Sequence, residues 1–276
     1  MVGIIDGKGM AHARILRMRD FVVSQQLEPK LTALTMNPNA ATQQFLRIKQ
    51  KIARDCGVSM NIVEIPLHTT HDRVVEIVKE VAATSDGVVI QIPFPPHIDI
   101  DNLLSVLPSE CDPDCMGHEA TQLLDENRHV VLPPVVAAIR AICTEYDVSP
   151  KDKKVVVVGQ GRLVGVPAAR WFEQSGADVV RLTKDSGDIK EYTHTADIIV
   201  LGAGSPSLLT PDMISHNKSV SIFDAGTSEE GGRLVGDADP ACSEFAYLTT
   251  PVPGGIGPLA VAFLFENMLK LKFDFV

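Results

Sequence analysis

The sequence predicts an α/β protein, and three observations carry that reading. Of its 276 residues 45% are apolar and only 5% aromatic, a balance that suits Val- and Ile-rich parallel strands between helices better than a β-sandwich. Short apolar runs alternate with helical patterns along nearly the whole chain. From Lys151 onward four valines, a glycine turn and a helix open a second such series. The length admits one large domain or two modest ones.

In the first series, residues 11–28 read as a helix with Ile15, Leu16, Phe21 and Val22 roughly on one face. Residues 31–36 are a short strand, and Asn37-Pro38-Asn39 supplies turn chemistry. The spacing predicts a helix from about Ala41 to Asp55, stopped by Gly57, with Phe45, Ile48 and Ile52 as its apolar stripe and Lys49 at the stripe's edge. Residues 61–67 are a strand, and Thr69–Asp72 offer a cap for a helix over 73–83. His68 and His71 fit capping and surface roles better than metal ligation, since no further ligand set accompanies them.

Residues 86–95 read as a buried strand ending in Pro93 and Pro95, interrupted only by Gln91. A glutamine there costs free energy unless its amide is hydrogen-bonded. It is either a core residue satisfied by backbone or a site residue at the ligand edge of an open sheet. The acidic loop 108–119 holds Cys111, Asp112, Asp114, Cys115 and His118 at spacings that match zinc sites poorly, and no metal is expected. Asp114 is its candidate for holding a donor-rich heterocycle. Pro133 and Pro134 open a helix over about 134–146.

In the second series, Gly159-x-Gly161-x3-Gly165 follows a strand and opens a helix, so the turn closes tightly and the helix N-terminus can face a pyrophosphate. Further strands at 177–182, 197–204 and 219–226 sustain the alternation and support a parallel sheet that binds a dinucleotide. Near the C-terminus, Pro251, Pro253 and Pro258 with Gly254, Gly255 and Gly257 precede an apolar helix. Prolines stiffen the loop and glycines let backbone approach a flat ligand. This is read as a ligand-facing loop rather than a connector.

A formal charge of −10 and a pI near 5.2 argue against nucleic acid or an anionic membrane as partner. No apolar run approaches the ~20 residues of a membrane span. The N-terminus carries Asp6, Lys8 and spaced arginines where a signal peptide would be apolar. Five cysteines, an odd number without disulfide-like spacing, suggest a reducing compartment. A cytoplasmic protein is expected.

With these residues assembled, the chain resembles the bifunctional methylenetetrahydrofolate dehydrogenase/cyclohydrolase family. The landmarks are IIDGK (4–8), the helix bearing Lys49, VIQIPFP (89–95), the Asp114 loop, VVVGQGRLVGVP (156–167) and TPVPGGIGP (250–258). The resemblance implies an N-terminal αβα folate-binding catalytic domain over 1–136 and 255–276, a Rossmann-type nucleotide-binding domain over 137–254, and a cleft between them. It implies hydride transfer from 5,10-methylenetetrahydrofolate to a nicotinamide, then hydrolysis of the methenyl product to 10-formyltetrahydrofolate. Lys49 is then the residue that supports hydrolysis, Gln91 its assistant and Asp114 the carboxylate that holds the pterin. Phe45, Pro93, Pro253, Gly254, Gly255 and Pro258 contact the folate. Gly159, Gln160, Gly161, Arg162, Val164, Gly165, Lys184, Ala203, Gly204, Asp224, Gly226 and Thr227 contact the dinucleotide. A homodimer is also expected on this resemblance.

Three departures stand out. Phe45 replaces the family's usual tyrosine. Gly159-Gln160-Gly161 replaces Gly-Arg-Ser, removing a cation suited to a 2′-phosphate. Val131-Leu132-Pro133-Pro134 replaces Pro-Cys-Thr-Pro, a change without a functional account. Lys184 offers replacement charge for NADP, whereas Asp185 beside it suits the free ribose hydroxyl of NAD. NADP is the expected cofactor, with NAD as the alternative. The competing functions are a dehydrogenase with weakened hydrolysis, a silent folate- or nucleotide-binding homologue, and a dehydrogenase acting on a shikimate-like acid.

Overall fold

A computed structural model describes residues 3–217 and 219–276, apart from the side chain of Ala41. Its helices and strands, in chain order, begin with β1 (Gly3–Ile4), α1 (Gly7–Ser24), β2 (Lys30–Met36), α2 (Ala40–Cys56), β3 (Ser59–Ile65), α3 (His71–Ala82), β4 (Gly87–Ile90), α4 (Ile100–Ser105), α5 (His118–Asp125) and α6 (Pro134–Glu145). They continue with β5 (Lys154–Val158), α7 (Gly165–Gln174), β6 (Asp178–Leu182), α8 (Lys190–Thr193), β7 (Ile198–Leu201), β8 (Ser221–Asp224), β9 (Ser228–Glu230), β10 (Arg233–Val235), β11 (Leu248–Thr249) and α9 (Ile256–Lys272). No helix among the described residues is long and apolar enough to cross a membrane.

The chain divides into two compact units, one of Met1–Ala11 with Val135–Ala260 and the other of His12–Pro134 with Val261–Val276. In the first of these, β1 pairs in parallel with β11, Gly3 opposite Leu248 and Ile4 opposite Thr249.

The unit His12–Pro134 with Val261–Val276 is built on a parallel sheet in the order β3-β2-β4. Ala33 of the central strand lies opposite Ile62 and Val89. Leu34, Met36, Ile65, Val74, Val78, Val88, Ile90, Leu103 and Leu104 form one contiguous buried core. Helix α1 starts earlier than the sequence predicts because the Asp6 carboxylate accepts from the Gly9 N–H at 2.9 Å, a capping bond. Its buried stripe is Ala11, Ile15, Met18 and Val22. Helix α2 is capped by Asn39, whose Oδ1 accepts from Thr42 N, and is ended by Gly57 in the left-handed region, φ 80°. Thr70 caps α3 through the Arg73 N–H.

Two expectations need correction here. The strand predicted over 86–95 ends at Ile90. Pro93 and Pro95 lack the N–H that a ladder needs, so residues 91–95 leave the sheet. In α2 the buried face is Thr42, Leu46, Ile52, Ala53 and Cys56, whereas Phe45 and Ile48 are 37% and 40% exposed. The stripe is therefore rotated from the predicted one, and residues 42, 46, 49, 53 and 56 share a face at helical spacing. Lys49 lies on that inward face.

The other unit carries a six-stranded parallel sheet in the order β1-β11-β8-β7-β5-β6. Val155, Val156, Val157 and Val158 of β5 are buried, as are Ile198–Leu201 of β7. The chain leaves β5 for β6 on one side, then crosses back to β7 on the other. That reversal is the topological switch point where open α/β sheets hold ligands at the carboxyl ends of strands. An antiparallel hairpin, β9-β10, turns at Gly231 and Gly232, both at positive φ, as a two-residue hairpin turn prefers.

Candidate active site

In the unit built on β3-β2-β4, α2 and the end of β4 bring Lys49 and Gln91 together. Lys49 Nζ donates to Gln91 Oε1 at 2.9 Å. The glutamine's Nε2 donates to the Ile92 carbonyl at 3.3 Å, which turns its oxygen toward the lysine. The backbone is anchored as well, since Gln91 N donates to Leu34 O at 2.8 Å. The Gln91 amide is thus satisfied on both sides, its Nε2 by backbone and its Oε1 by Lys49. Pro93, two residues on, follows a cis peptide bond.

Lys49 and Asp114 are pushed toward their neutral forms together. Burial lowers the lysine pKa from its ordinary value, and the Asp114 charge opposes that shift. Burial raises the Asp114 pKa, and the lysine charge opposes it. The loop carrying Asp114 is held from two sides. Asp112 Oδ2 accepts from Gly117 N at 2.6 Å. Buried Asn267 on α9 spends both amide hydrogens, donating to Pro113 O at 2.9 Å and Leu132 O at 2.8 Å. Phe45 sits one turn before Lys49 with its ring partly exposed.

At the β5/β7 switch point the glycines interlock. A Cβ on Gly165 would lie 1.8 Å from Gly159 O, and one on Gly159 would lie 2.6 Å from Gly202 O. Gly159 also needs its positive φ of 89°. By contrast, a Cβ on Gly161 or Gly204 would meet nothing within 4 Å. The turn is thus tight against its own fold and open beside Gly161 and Gly204, which fits a dinucleotide phosphate approaching the start of α7. Gly165→Ala is expected to lower stability by about 1–3 kcal/mol through overpacking and to abolish measurable dinucleotide binding. Denaturant melts and a fluorescence titration with reduced dinucleotide read the two effects.

The residues predicted for the dinucleotide cluster at the carboxyl ends of β5 (Gly159–Gly165), β6 (Lys184), β7 (Ala203, Gly204) and β8 (Asp224, Gly226, Thr227). Their side chains do different things. Gln160 folds back, its Nε2 donating to Val157 O and Gly159 O at 3.1 and 3.0 Å. The Val164 side chain packs where a Cβ on Gly202 would stand. The Asp224 carboxylate is occupied by the N–H groups of Gly226, Asp237 and Ala238. Burial raises its pKa to about 6. Lys184 is exposed.

Ahead of α9, Gly255 N donates to Pro251 O at 2.7 Å and Gly254 adopts φ 119°. Gly7 packs directly on this loop, where a Cβ would lie 1.9 Å from Gly255 O. Pro258 falls in the first turn of α9, where a missing N–H is harmless. The sequence analysis names Asp112 only as a member of the acidic loop and does not single out Asp237 or Asn267.

Residues 5–114 match the family model of the tetrahydrofolate dehydrogenase/cyclohydrolase catalytic domain, and residues 133–274 match its NAD(P)-binding domain. "Bifunctional protein FolD" of Lactobacillus delbrueckii subsp. bulgaricus is 30% identical over 274 residues, covering 97% of this chain and 96% of the relative. The protein of the same name from Exiguobacterium sibiricum is 29% identical, covering 98% and 99%. Among solved structures, the bifunctional FolD methylenetetrahydrofolate dehydrogenase/cyclohydrolase of Campylobacter jejuni superposes with a TM-score of 0.92 at 27% identity, covering 99% of each chain. The Trypanosoma brucei FolD, solved with NADP cofactor and an inhibitor, also gives 0.92 at 28% identity, covering 99% and 98%. Matched along both halves, the chain belongs to the tetrahydrofolate dehydrogenase/cyclohydrolase family.

Proposed function

We propose that the protein oxidises 5,10-methylenetetrahydrofolate to the methenyl form with NADP and then hydrolyses that product to 10-formyltetrahydrofolate. The observation that carries this reading is the Lys49–Gln91 hydrogen bond on the inward face of α2, beside a raised Asp114. A binding protein without chemistry has no use for a lysine held toward its neutral form. A neutral amine has two hydrogens and one lone pair. With one hydrogen committed to Gln91 Oε1, the lone pair is oriented to take a proton from the water that adds to the methenyl carbon. The resulting ammonium then returns that proton to the ring nitrogen as its bond to the one-carbon unit breaks, while the new hydroxyl gives up its own proton to solvent and becomes the formyl carbonyl. Asp114 accepts from the donor edge of the pterin. The exposed ring of Phe45 offers a stacking face but no hydroxyl, which favours slower hydrolysis as the second reading.

When bound, the nicotinamide accepts the hydride, and the chain's part in that step is binding and alignment. The Gly159–Gly165 turn receives the phosphates, and Pro93, close in sequence to Gln91, is proposed as a folate contact. Gln160 is folded back and Arg181 is clamped by Glu173 through two hydrogen bonds, at 3.0 and 2.8 Å. Lys184, exposed just past the end of β6, is the cation proposed for a 2′-phosphate. Lys184→Ala is expected to raise the KM for NADP about tenfold, the effect of roughly 1.4 kcal/mol, and to leave that for NAD within twofold. Five free, buried cysteines suit a reducing, cytoplasmic setting, and the assembly is read as a homodimer.

An absorbance assay tests the whole reading. With methylenetetrahydrofolate and NADP, reduced dinucleotide should accumulate. With methenyltetrahydrofolate alone, the enzyme should speed loss of the methenyl band. Silence in both assays would overturn the proposal, and silence only in the second would leave a dehydrogenase.

A further inference from the structure

The nucleotide end of the six-stranded sheet contains a carboxylate that the proposed chemistry does not use. Asp237 is fully buried. Its Oδ2 accepts from Ala203 N at 2.7 Å and Gly204 N at 3.0 Å, and its Oδ1 accepts from Ser205 N at 2.8 Å. Three successive N–H groups turned toward one point form the concavity that commonly receives an anion. Here the protein fills that concavity itself.

The arrangement extends to the neighbouring loops. Asp237 N and Ala238 N donate to Asp224 at 3.2 and 2.9 Å, and Asp224 N donates to Thr250 Oγ1 at 2.7 Å. The loops after β7, β8 and β11 are therefore tied through two carboxylates and one hydroxyl. The fit around the carboxylates is close. A Cβ on Gly226 would lie 2.1 Å from the Asp237 carboxyl carbon, and one on Gly236 would lie 2.2 Å from Asp224 Oδ2. Meanwhile the outer side of Gly204, at φ 65°, is open.

We infer that Asp237 is a positioning residue for the dinucleotide, holding the loop 203–205 with its N–H groups turned inward. The loop then meets the ligand through its carbonyl and Cα side. It is suited to the uncharged ribose or nicotinamide portion, while the phosphates go to the Gly159–Gly165 turn. This rests on the proposed dinucleotide reading and adds which part of the ligand that loop receives.

Asp237→Asn tests the assignment. The amide keeps the shape but turns N–H donors onto N–H donors, so the loop must shift. Titration with reduced dinucleotide should show a dissociation constant raised at least tenfold, and steady-state kinetics a raised dinucleotide KM with the folate KM within twofold. Unchanged dinucleotide affinity, or an equal rise in both KM values, would overturn the inference. Amide hydrogen exchange in the wild-type protein without ligand decides the matter if the variant does not fold. The N–H groups of Ala203, Gly204 and Ser205 should exchange slowly, and exchange at the rate of an open loop would contradict the assignment. Failure of the wild type to bind any dinucleotide would sink the reading beneath it, and the exchange result would still decide whether Asp237 holds the loop.

Discussion

Replacing Lys49 by methionine is expected to slow hydrolysis of methenyltetrahydrofolate by two to four orders of magnitude, the usual worth of a positioned acid–base group. The stem of methionine fills similar space, so the loss reports the nitrogen rather than a cavity. Hydride transfer needs no protein proton donor and should fall much less. The ratio of the two activities, measured on the same sample, is the diagnostic quantity. The pH dependence has a definite sign. Burial lowers the lysine pKa, so its neutral form is populated at lower pH than in an ordinary lysine. Hydrolysis in the wild type should rise with pH through that lowered value, and the methionine variant should lose this limb.

The second large effect concerns stability, at Asp112. Its carboxyl is buried, and its Oδ1 has no hydrogen-bond partner among the described residues. Burial raises its pKa to about 7, with the Asp114 charge adding to the shift and the N–H groups of Gly117, Met116 and Cys115 opposing it. The folded pKa is higher than the unfolded one. Its contribution to stability is therefore complete below about pH 4 and is lost as pH rises toward 7. The shift from 3.8 to about 7 corresponds to roughly 4 kcal/mol at about 1.36 kcal/mol per unit. Asp112→Asn removes the titrating group while keeping an acceptor for Gly117. Urea melts at several pH values should show the wild type losing stability between about pH 4 and 7 relative to the variant. By pH 8 the variant should be the more stable by about 2–4 kcal/mol. Parallel stability–pH curves for the two proteins would contradict this account.

Gln91 and Lys49 are legible as candidates, although only the family resemblance joins them as a pair. Gln91 interrupts an apolar run, and Lys49 follows Phe45 by one helical turn. Its burial was less legible. Phe45 and Ile48 attracted the stripe to themselves by hydrophobicity, although the packed face runs through Thr42 and Ala53. Small residues are what close packing selects, and a scale of hydrophobicity passes over them. Strands β1 and β11, each two residues long, carry no period to read and exist through their neighbours in the sheet. The β9-β10 hairpin did have a local signal in Gly231-Gly232. Asp237 had almost none, because its partners lie 32–34 residues away. Asn267 likewise reaches carbonyls 154 and 135 residues distant. Side chains that fix loops across a fold are invisible to spacing, since only the tertiary arrangement makes them neighbours.

The state of one amine decides the mechanism most directly. An NMR titration of lysine side chains, with the Lys49 signal assigned by its absence from the methionine variant, reads that amine's pKa in the ligand-free protein. A value clearly below the ordinary 10.5 is the predicted result. A value at or above it would mean that Lys49 stays an ammonium throughout the working range, and the proposed route for the water's proton would be contradicted.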